Sequence, residues 1–151
     1  MVAVVCTLLG TIVAGLFQHK SAGRAERAAT AEQLRRDRLD AVTTLAAAGF
    51  DHRRALWMRG EARLRGEPEV RLEELRSASH ITRSAITRPL VAVHILVTDP
   101  DVRASAQAMV VATNDMHDAD TSIKALTAAQ STARTAHDTF VDAAAAYLAI
   151  P

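Results

Sequence analysis

Side chains that could bind a metal ion are concentrated in one short stretch: Asn114, Asp115, His117, Asp118 and Asp120. A calcium loop of the helix–loop–helix type needs ligands at fixed offsets, a glycine in mid-loop and a glutamate at the twelfth position, and this stretch has a different spacing. Turn and N-cap chemistry explains the same residue types without an ion. The sequence therefore predicts no metal site and no cofactor.

Residues that could act as nucleophiles or as acids and bases do not form a catalytic motif. Five histidines are scattered along the chain, and no two of them have the four-residue spacing that would put both imidazoles beside one metal ion on a helix: His52, His80, His94, His117 and His137. Ser79 precedes His80, but adjacent residues of a helix point in different directions. No glycine-rich phosphate loop is present in the sequence. We therefore expect a protein that is not an enzyme and that has no small-molecule substrate.

Arg53, Arg54 and Trp57 fall on one turn of a predicted helix and form the most conspicuous candidate interface. An indole beside two guanidinium groups is typical of protein surfaces that contact a partner. The alternative is that the indole of Trp57 is buried in the core. Farther towards the N-terminus, the basic side chains of residues 24–38 alternate with acidic ones and include no aromatic residue, so no specific nucleic-acid binding is expected.

The helices that would position these residues follow an uncharged stretch at the start of the sequence, from Val2 to Phe17. As a helix it would span roughly 24 Å, against about 30 Å for the hydrocarbon core of a bilayer. We predict a membrane anchor at residues 1–19, and the alternative is a buried core helix. Its apolar contacts with lipid would come from Val2, Leu8, Leu9, Ile12, Leu16 and Phe17.

The charges that flank this stretch lie on its C-terminal side, where Lys20, Arg24 and Arg27 would meet anionic headgroups. By the positive-inside rule the protein would be a single-pass plasma-membrane protein with its N-terminus outside and its C-terminal domain in the cytoplasm. Small residues within the stretch would let two anchors pack closely. These are Gly10, Ala14 and Gly15.

Helix-forming residues dominate the remainder of the chain, and no stretch shows the two-residue alternation of a strand. We predict a charged helical stalk at residues 20–38 and a helical bundle domain at residues 39–151. Breaks are predicted at residues 65–68 and 98–101, where glycine and proline interrupt the apolar periodicity. The predicted fold class is all-α: one transmembrane helix that continues into an antiparallel up-down bundle of four helices.

Four sequence blocks resemble a known family: AVVCTLLGTIVAGLFQHKSA, RRDRLDAVTTLAAA, DHRRALWMR and SHITRSAITRP. In this order they are similar to the KilB proteins, small membrane proteins of actinomycete plasmids and genomes. The similarity extends over roughly residues 3–90 and fades in the alanine-rich C-terminal part. It implies a membrane-associated protein that takes part in the spread of a conjugative plasmid, and it implies no catalytic residue.

Three functions remain open from the sequence. The first is a membrane-anchored, non-enzymatic helical interaction protein, with a possible role in plasmid transfer, that binds other copies of itself or other membrane or transfer proteins. The second is an oligomeric, pore-forming protein of the holin type, suggested by the short anchor with its small residues. The third is a helical bundle that senses a ligand.

Overall fold

Four long helices make up the described part of the chain. A computed structural model describes the backbone of residues 2–149 and the side chains of residues 26–149. The helices are α1 (Val2–Leu64), α2 (Glu69–Leu96), α3 (Pro100–Asp115) and α4 (Ile123–Ala149), with a short 3-10 helix at Met116–Asp118. The predicted all-α fold with four helices is confirmed.

The connections follow the turn chemistry of the sequence. Gly66 lies in the first connection with a φ of 70°, a left-handed conformation that glycine adopts without a steric penalty. Asp99 caps α3, because one of its carboxylate oxygens accepts hydrogen bonds from the backbone N–H groups of Asp101 and Val102. Pro100 occupies the first turn of α3, where its missing N–H costs no hydrogen bond. The two predicted breaks are therefore confirmed.

Side-chain contacts show that α1 runs antiparallel to both α2 and α4. The side chain of His52 meets Thr82 at 2.9 Å, and Arg38 donates to the carbonyl of Leu96, so α1 and α2 run in opposite directions. The His137 ring meets the carbonyl oxygen of Ala46 at 3.2 Å, and Leu126 lies beside Gly60, so α4 also runs opposite to α1. Among the described residues, α3 packs against both α2 and α4, whereas α2 and α4 do not pack against each other.

The core consists of two clusters of buried side chains. The larger one lies between all four helices and contains Ala41, Val42, Leu45, Ile86, Val93, Val97, Val102, Ala106, Met109, Val110, Phe140 and Ala144. The smaller one lies nearer the 3-10 helix and contains Leu56, Met116, Leu126 and Ala133. Beside it, a Cβ atom added to Gly60 would lie 2.9 Å from Cδ2 of Leu126, so this glycine lets α1 approach α4 closely.

Apolar residues of α1 that recur at three-, four- and seven-residue offsets are predicted to share one buried face. Of these, Val42, Leu45 and Leu56 are buried, but Leu39 and Phe50 are about half exposed. The buried side chains of α1, among them the polar His52 and Arg53, recur at three- and four-residue steps on that one face, and Leu39 and Phe50 lie at its edge. Pro89 lies within α2, and the helix continues through it.

The structure corrects the predicted membrane topology. Among residues 26–149, no helix is long and apolar enough to cross a membrane. Both α2 and α4 have sufficient length, but charged side chains recur along them. The transmembrane element of the predicted fold class and the single-pass plasma-membrane localisation are therefore wrong by this finding. The fold class is an all-α bundle of four helices.

The residues predicted to form the anchor lie outside the described side chains. This holds for Val2, Leu8, Leu9, Ile12, Leu16 and Phe17, for Gly10, Ala14 and Gly15, and for the basic residues Lys20 and Arg24. By its internal contacts the chain divides into two units, residues 1–36 and residues 37–151. In the first unit the described side chains are exposed, and Glu32 pairs with Arg36 at 3.1 Å. The domain boundaries given by the sequence stay predictions.

Candidate functional site: a groove lined by arginines and aromatic rings

A groove with a volume of about 400 Å³ runs between α1 and α4. Four side chains from each helix line it: Phe50, Arg53, Arg54 and Trp57 from α1, and Thr127, Gln130, Ser131 and Arg134 from α4. In both helices these residues follow the offsets of zero, three, four and seven, which place them on one face. The groove therefore arises directly from two amphipathic faces that meet at the surface.

The two ends of this groove differ in composition. Because α1 and α4 are antiparallel, Arg134 lies towards the end that holds Phe50 and Arg53, and Thr127 lies towards the end that holds Trp57. The guanidinium carbon of Arg53 stands 5.4 Å from the centre of the Phe50 ring, a cation–π distance. One end of the groove is thus rich in guanidinium groups, and the other end offers an indole.

Arg53 is the most constrained charge of the groove. Its side chain is only 9% exposed, and its Nη1 atom is buried without a hydrogen-bond partner among the described residues. Burial lowers the pKa of Arg53, the negative charge of Asp138 opposes that shift, and the neighbouring Arg134 adds to it. Arginine stays protonated in proteins, so this lowered pKa reports the cost of burying the charge. An anion in the groove would reduce that cost.

The three residues predicted from the sequence as an interface, Arg53, Arg54 and Trp57, are brought together here on one wall of the groove. The indole of Trp57 is half-buried, so it is neither a fully buried core residue nor a free surface ring. Their role as an interface stays a prediction. The opposite wall, Thr127 to Arg134, was not anticipated, because nothing in the sequence shows that α4 would pack beside this turn of α1.

The acidic stretch considered above for a metal ion has a structural role. Arg63 donates to the Asp120 carboxylate at 2.8 Å, and Nη1 of Arg59 meets Nδ1 of His117 at 2.9 Å. These contacts hold the connection between α3 and α4 against the end of α1. Within residues 26–149, no group of three or more His, Cys, Asp or Glu side chains is placed to hold a metal ion.

His52 is a buried polar residue that the sequence did not reveal. It is 2% exposed, and its Nδ1 lies 2.9 Å from Oγ1 of Thr82. The Thr82 hydroxyl is itself within donating distance of the carbonyls of Ala78 and Ser79, so we assign the Nδ1 proton of His52 as the donor to Thr82. Desolvation lowers the pKa of His52, a hydrogen bond with Asn114 opposes that shift, and the charges of Arg83 and His117 add to it.

The lowered pKa of His52 predicts a stability that depends on pH. Below the unfolded-state pKa of about 6.5, the unfolded chain binds a proton that the folded chain resists. The free energy of unfolding should therefore fall as the pH decreases from 7.5 to 5.5, by at most about 1.4 kcal/mol per pH unit for this one group. Urea unfolding at several pH values would measure the fall.

His52→Asn is the variant that tests this prediction, because an amide N–H can replace the donor at Nδ1. We expect a smaller fall of stability with decreasing pH in His52→Asn than in the unmodified chain. His80 is exposed on α2, so His80→Asn serves as the matched control and should keep the original pH dependence. Equal pH dependence in the unmodified chain and His52→Asn would show that His52 is not the group responsible.

Comparison with known proteins identifies the relatives of this bundle. A family model described as KilB plasmid transfer protein matches residues 39–148. This match corrects the extent inferred from the sequence blocks, since it continues through α4. The curated Protein KilB of Streptomyces lividans is 47% identical over 97 residues, which cover 64% of this chain and 63% of that relative. No solved structure matches the chain significantly. Because the family model spans the bundle from α1 to α4, the chain belongs to the KilB plasmid transfer protein family.

Proposed function

We propose that this chain acts in plasmid transfer as a non-enzymatic interaction protein, and that the groove between α1 and α4 binds an acidic segment of a partner protein. The observation that carries the proposal is Arg53, a buried arginine whose Nη1 has no hydrogen-bond partner among the described residues. Arg54 and Arg134 line the same groove, so a carboxylate there would lie among three positive charges, of which that of Arg134 also faces Asp138 at 3.9 Å. Trp57 would add an apolar contact at the other end.

Charges around the groove favour a short acidic peptide over a nucleic acid. Asp138 lies 3.9 Å from Arg134 and 3.4 Å from the ring of His137, so negative charge stands next to the cationic end. The chain as a whole carries a formal net charge of only +1. A nucleic acid requires an extended positive surface, whereas one or two carboxylates can be bound by the three arginines without contact with Asp138.

The hydrogen bond of the Thr127 hydroxyl supports binding rather than catalysis at that residue. Thr127 donates its hydroxyl proton to the backbone carbonyl of Ile123 at 2.8 Å, as a threonine commonly does within a helix. A nucleophilic hydroxyl would instead donate to a general base. The imidazole of His137, also on α4, meets the backbone carbonyl of Ala46 and the carboxylate of Asp138. We therefore assign no covalent chemistry to this site.

Plasmid transfer between mating cells tests the proposal. A plasmid whose own KilB family member is replaced by this chain should transfer less often when the chain carries Arg54→Glu and Arg134→Glu together. Both substitutions put carboxylates where the partner's carboxylates would bind, and a loss of binding of about 1.4 kcal/mol already corresponds to a tenfold weaker complex. We expect transfer to decrease by about tenfold or more.

Arg83→Glu is the matched control for these charge reversals. Arg83 is exposed on α2, away from the groove, so its reversal alters the net charge without altering the site. Transfer with Arg83→Glu should equal transfer with the unmodified chain, at protein levels matched by immunoblot. Unchanged transfer with the Arg54→Glu/Arg134→Glu chain, or an equal decrease with Arg83→Glu, would contradict a role for the groove.

A further inference from the structure

A second apolar surface lies on α2, on the side turned away from the core. Val70, Ile81, Val91 and Ile95 are 75%, 68%, 51% and 71% exposed. These values are high for large aliphatic side chains, and the four residues share one helix face. They belong to a series with alternating four- and three-residue steps, which we call the α2 stripe: Val70, Glu74, Ser77, Ile81, Ser84, Arg88, Val91 and Ile95. This spacing is typical of the seam between two paired helices.

Residue size along the α2 stripe is nearly symmetric about Ile81, and charge has opposite sign on the two sides. Small serines flank it, Ser77 on one side and Ser84 on the other, and would let a second helix approach closely. Beyond them the stripe has an acid, Glu74, towards the N-terminus and a base, Arg88, towards the C-terminus. Both charged side chains lie on the exposed face of α2. The stripe is therefore complementary to its own sequence read in the opposite direction.

We propose that two copies of this chain pair through α2, antiparallel, with Ile81 of both copies at the two-fold axis. In this register, residues equally far from Ile81 lie opposite each other. Glu74 of each copy then faces Arg88 of the other, and Val70 approaches Val91 and Ile95. A two-fold axis repeats each contact, so the interface contains two such ion pairs and two apolar ends.

Antiparallel pairing matches the charges of the α2 stripe better than parallel pairing does. Parallel copies would place Glu74 beside Glu74 and Arg88 beside Arg88, and like charges at a seam are repulsive. In the single chain Glu74 pairs with Arg71 at 2.8 Å, but both side chains are largely exposed and the pair contributes little. On association, Glu74 would exchange its contact with Arg71 for one with Arg88 of a second copy. Because the interface excludes water, this exchange favours association.

The α2 pairing leaves the candidate site free. The groove lies between α1 and α4, and within the described residues α2 does not pack against α4. Two copies joined through α2 would therefore expose two grooves at the same time. The pairing does not depend on the groove's ligand, so either proposal can fail while the other holds.

Charge reversal in two differently tagged full-length chains tests the pairing. We expect Glu74→Arg alone and Arg88→Glu alone to sediment as monomers, because each places two like-charged pairs in the interface. Mixed together, the two variants should form heterodimers, since the arginine introduced at position 74 of one copy would face the glutamate introduced at position 88 of the other. The Glu74→Arg/Arg88→Glu double variant should again form homodimers, as should the unmodified chain. Circular dichroism would show that each variant is folded.

Three results of the sedimentation experiment would overturn the proposal. These are a monomeric unmodified chain at micromolar concentration, single variants that dimerise as well as the unmodified chain, and a mixture that fails to form heterodimers. A cysteine test locates the axis independently, because Cys6 is the sole cysteine and can be replaced by serine. In that background Ile81→Cys should form an intermolecular disulfide, whereas Val141→Cys on α4 should not. Equal cross-linking at both positions would also contradict the assigned axis.

Discussion

Replacement of Phe140 by alanine is expected to lower the free energy of unfolding by about 3–5 kcal/mol. Phe140 is fully buried in the larger core cluster, which contains side chains from all four helices. Truncation of the ring removes its dispersion contacts and leaves a cavity that rigid helix backbones cannot close. Since domains of this size are stable by about 5–15 kcal/mol, this single change should remove a large part of the total.

Urea unfolding followed by helical circular dichroism measures the effect of Phe140→Ala. Val141 is the matched control, because it is the next residue of the same helix and is exposed. Val141→Ala should change stability by less than about 1 kcal/mol, since alanine is the better helix former and little packing is lost. A loss below about 1 kcal/mol for Phe140→Ala would show that α4 does not close the core in the way described.

The second large effect is expected at Arg53, where stability and binding should change in opposite directions. Methionine has a similar length and carries no charge, so Arg53→Met removes the buried Nη1 that has no partner among the described residues. The loss of an unsatisfied donor favours folding by about 1–3 kcal/mol, and the lost cation–π contact with Phe50 offsets about 0.5–1 kcal/mol of it. We expect a more stable chain that binds acidic peptides more weakly.

Arg54→Met is the control for this experiment, because Arg54 lines the same groove but is exposed. Its replacement should weaken binding while leaving the free energy of unfolding within about 0.5 kcal/mol of the unmodified chain. If Arg53→Met lowers stability instead, the guanidinium of Arg53 contributes to folding, and its burial needs no explanation from a ligand. The comparison therefore separates a structural arginine from one retained for binding.

Local chemistry made much of the fold predictable. Gly66 and the pair Asp99 and Pro100 mark the connections, because positive φ, side-chain capping and a missing N–H each act within a few residues. The short helix α3 has one buried face, formed at three- and four-residue steps by Val102, Ala106, Met109, Val110 and Thr113. These features can be predicted without knowing which helices become neighbours in the fold.

Only one wall of the candidate site could be predicted from the sequence, because the other wall depends on which helices become neighbours. Arg53, Arg54 and Trp57 are close in sequence, and helical spacing alone brings them together. Arg134 is separated from them by most of the chain, so its place beside Phe50 depends on the packing of α4 against α1. His52 lies seven residues after Leu45 on the buried face of α1, but its polar side chain gave no reason to expect burial. The sequence did not reveal the α2 stripe as a separate surface, because another apolar face of α2 is sufficient to form its part of the core.

Direct titration of the groove tests the central claim that it binds acidic segments. Trp57 is the sole tryptophan of the chain, so its fluorescence reports from the groove itself. We predict that hexaglutamate changes this fluorescence in a saturable way, and that Arg54→Glu/Arg134→Glu abolishes the change while Arg83→Glu preserves it. A saturable response that is equal in all three chains, or no response to hexaglutamate in the unmodified chain, would contradict the proposed function.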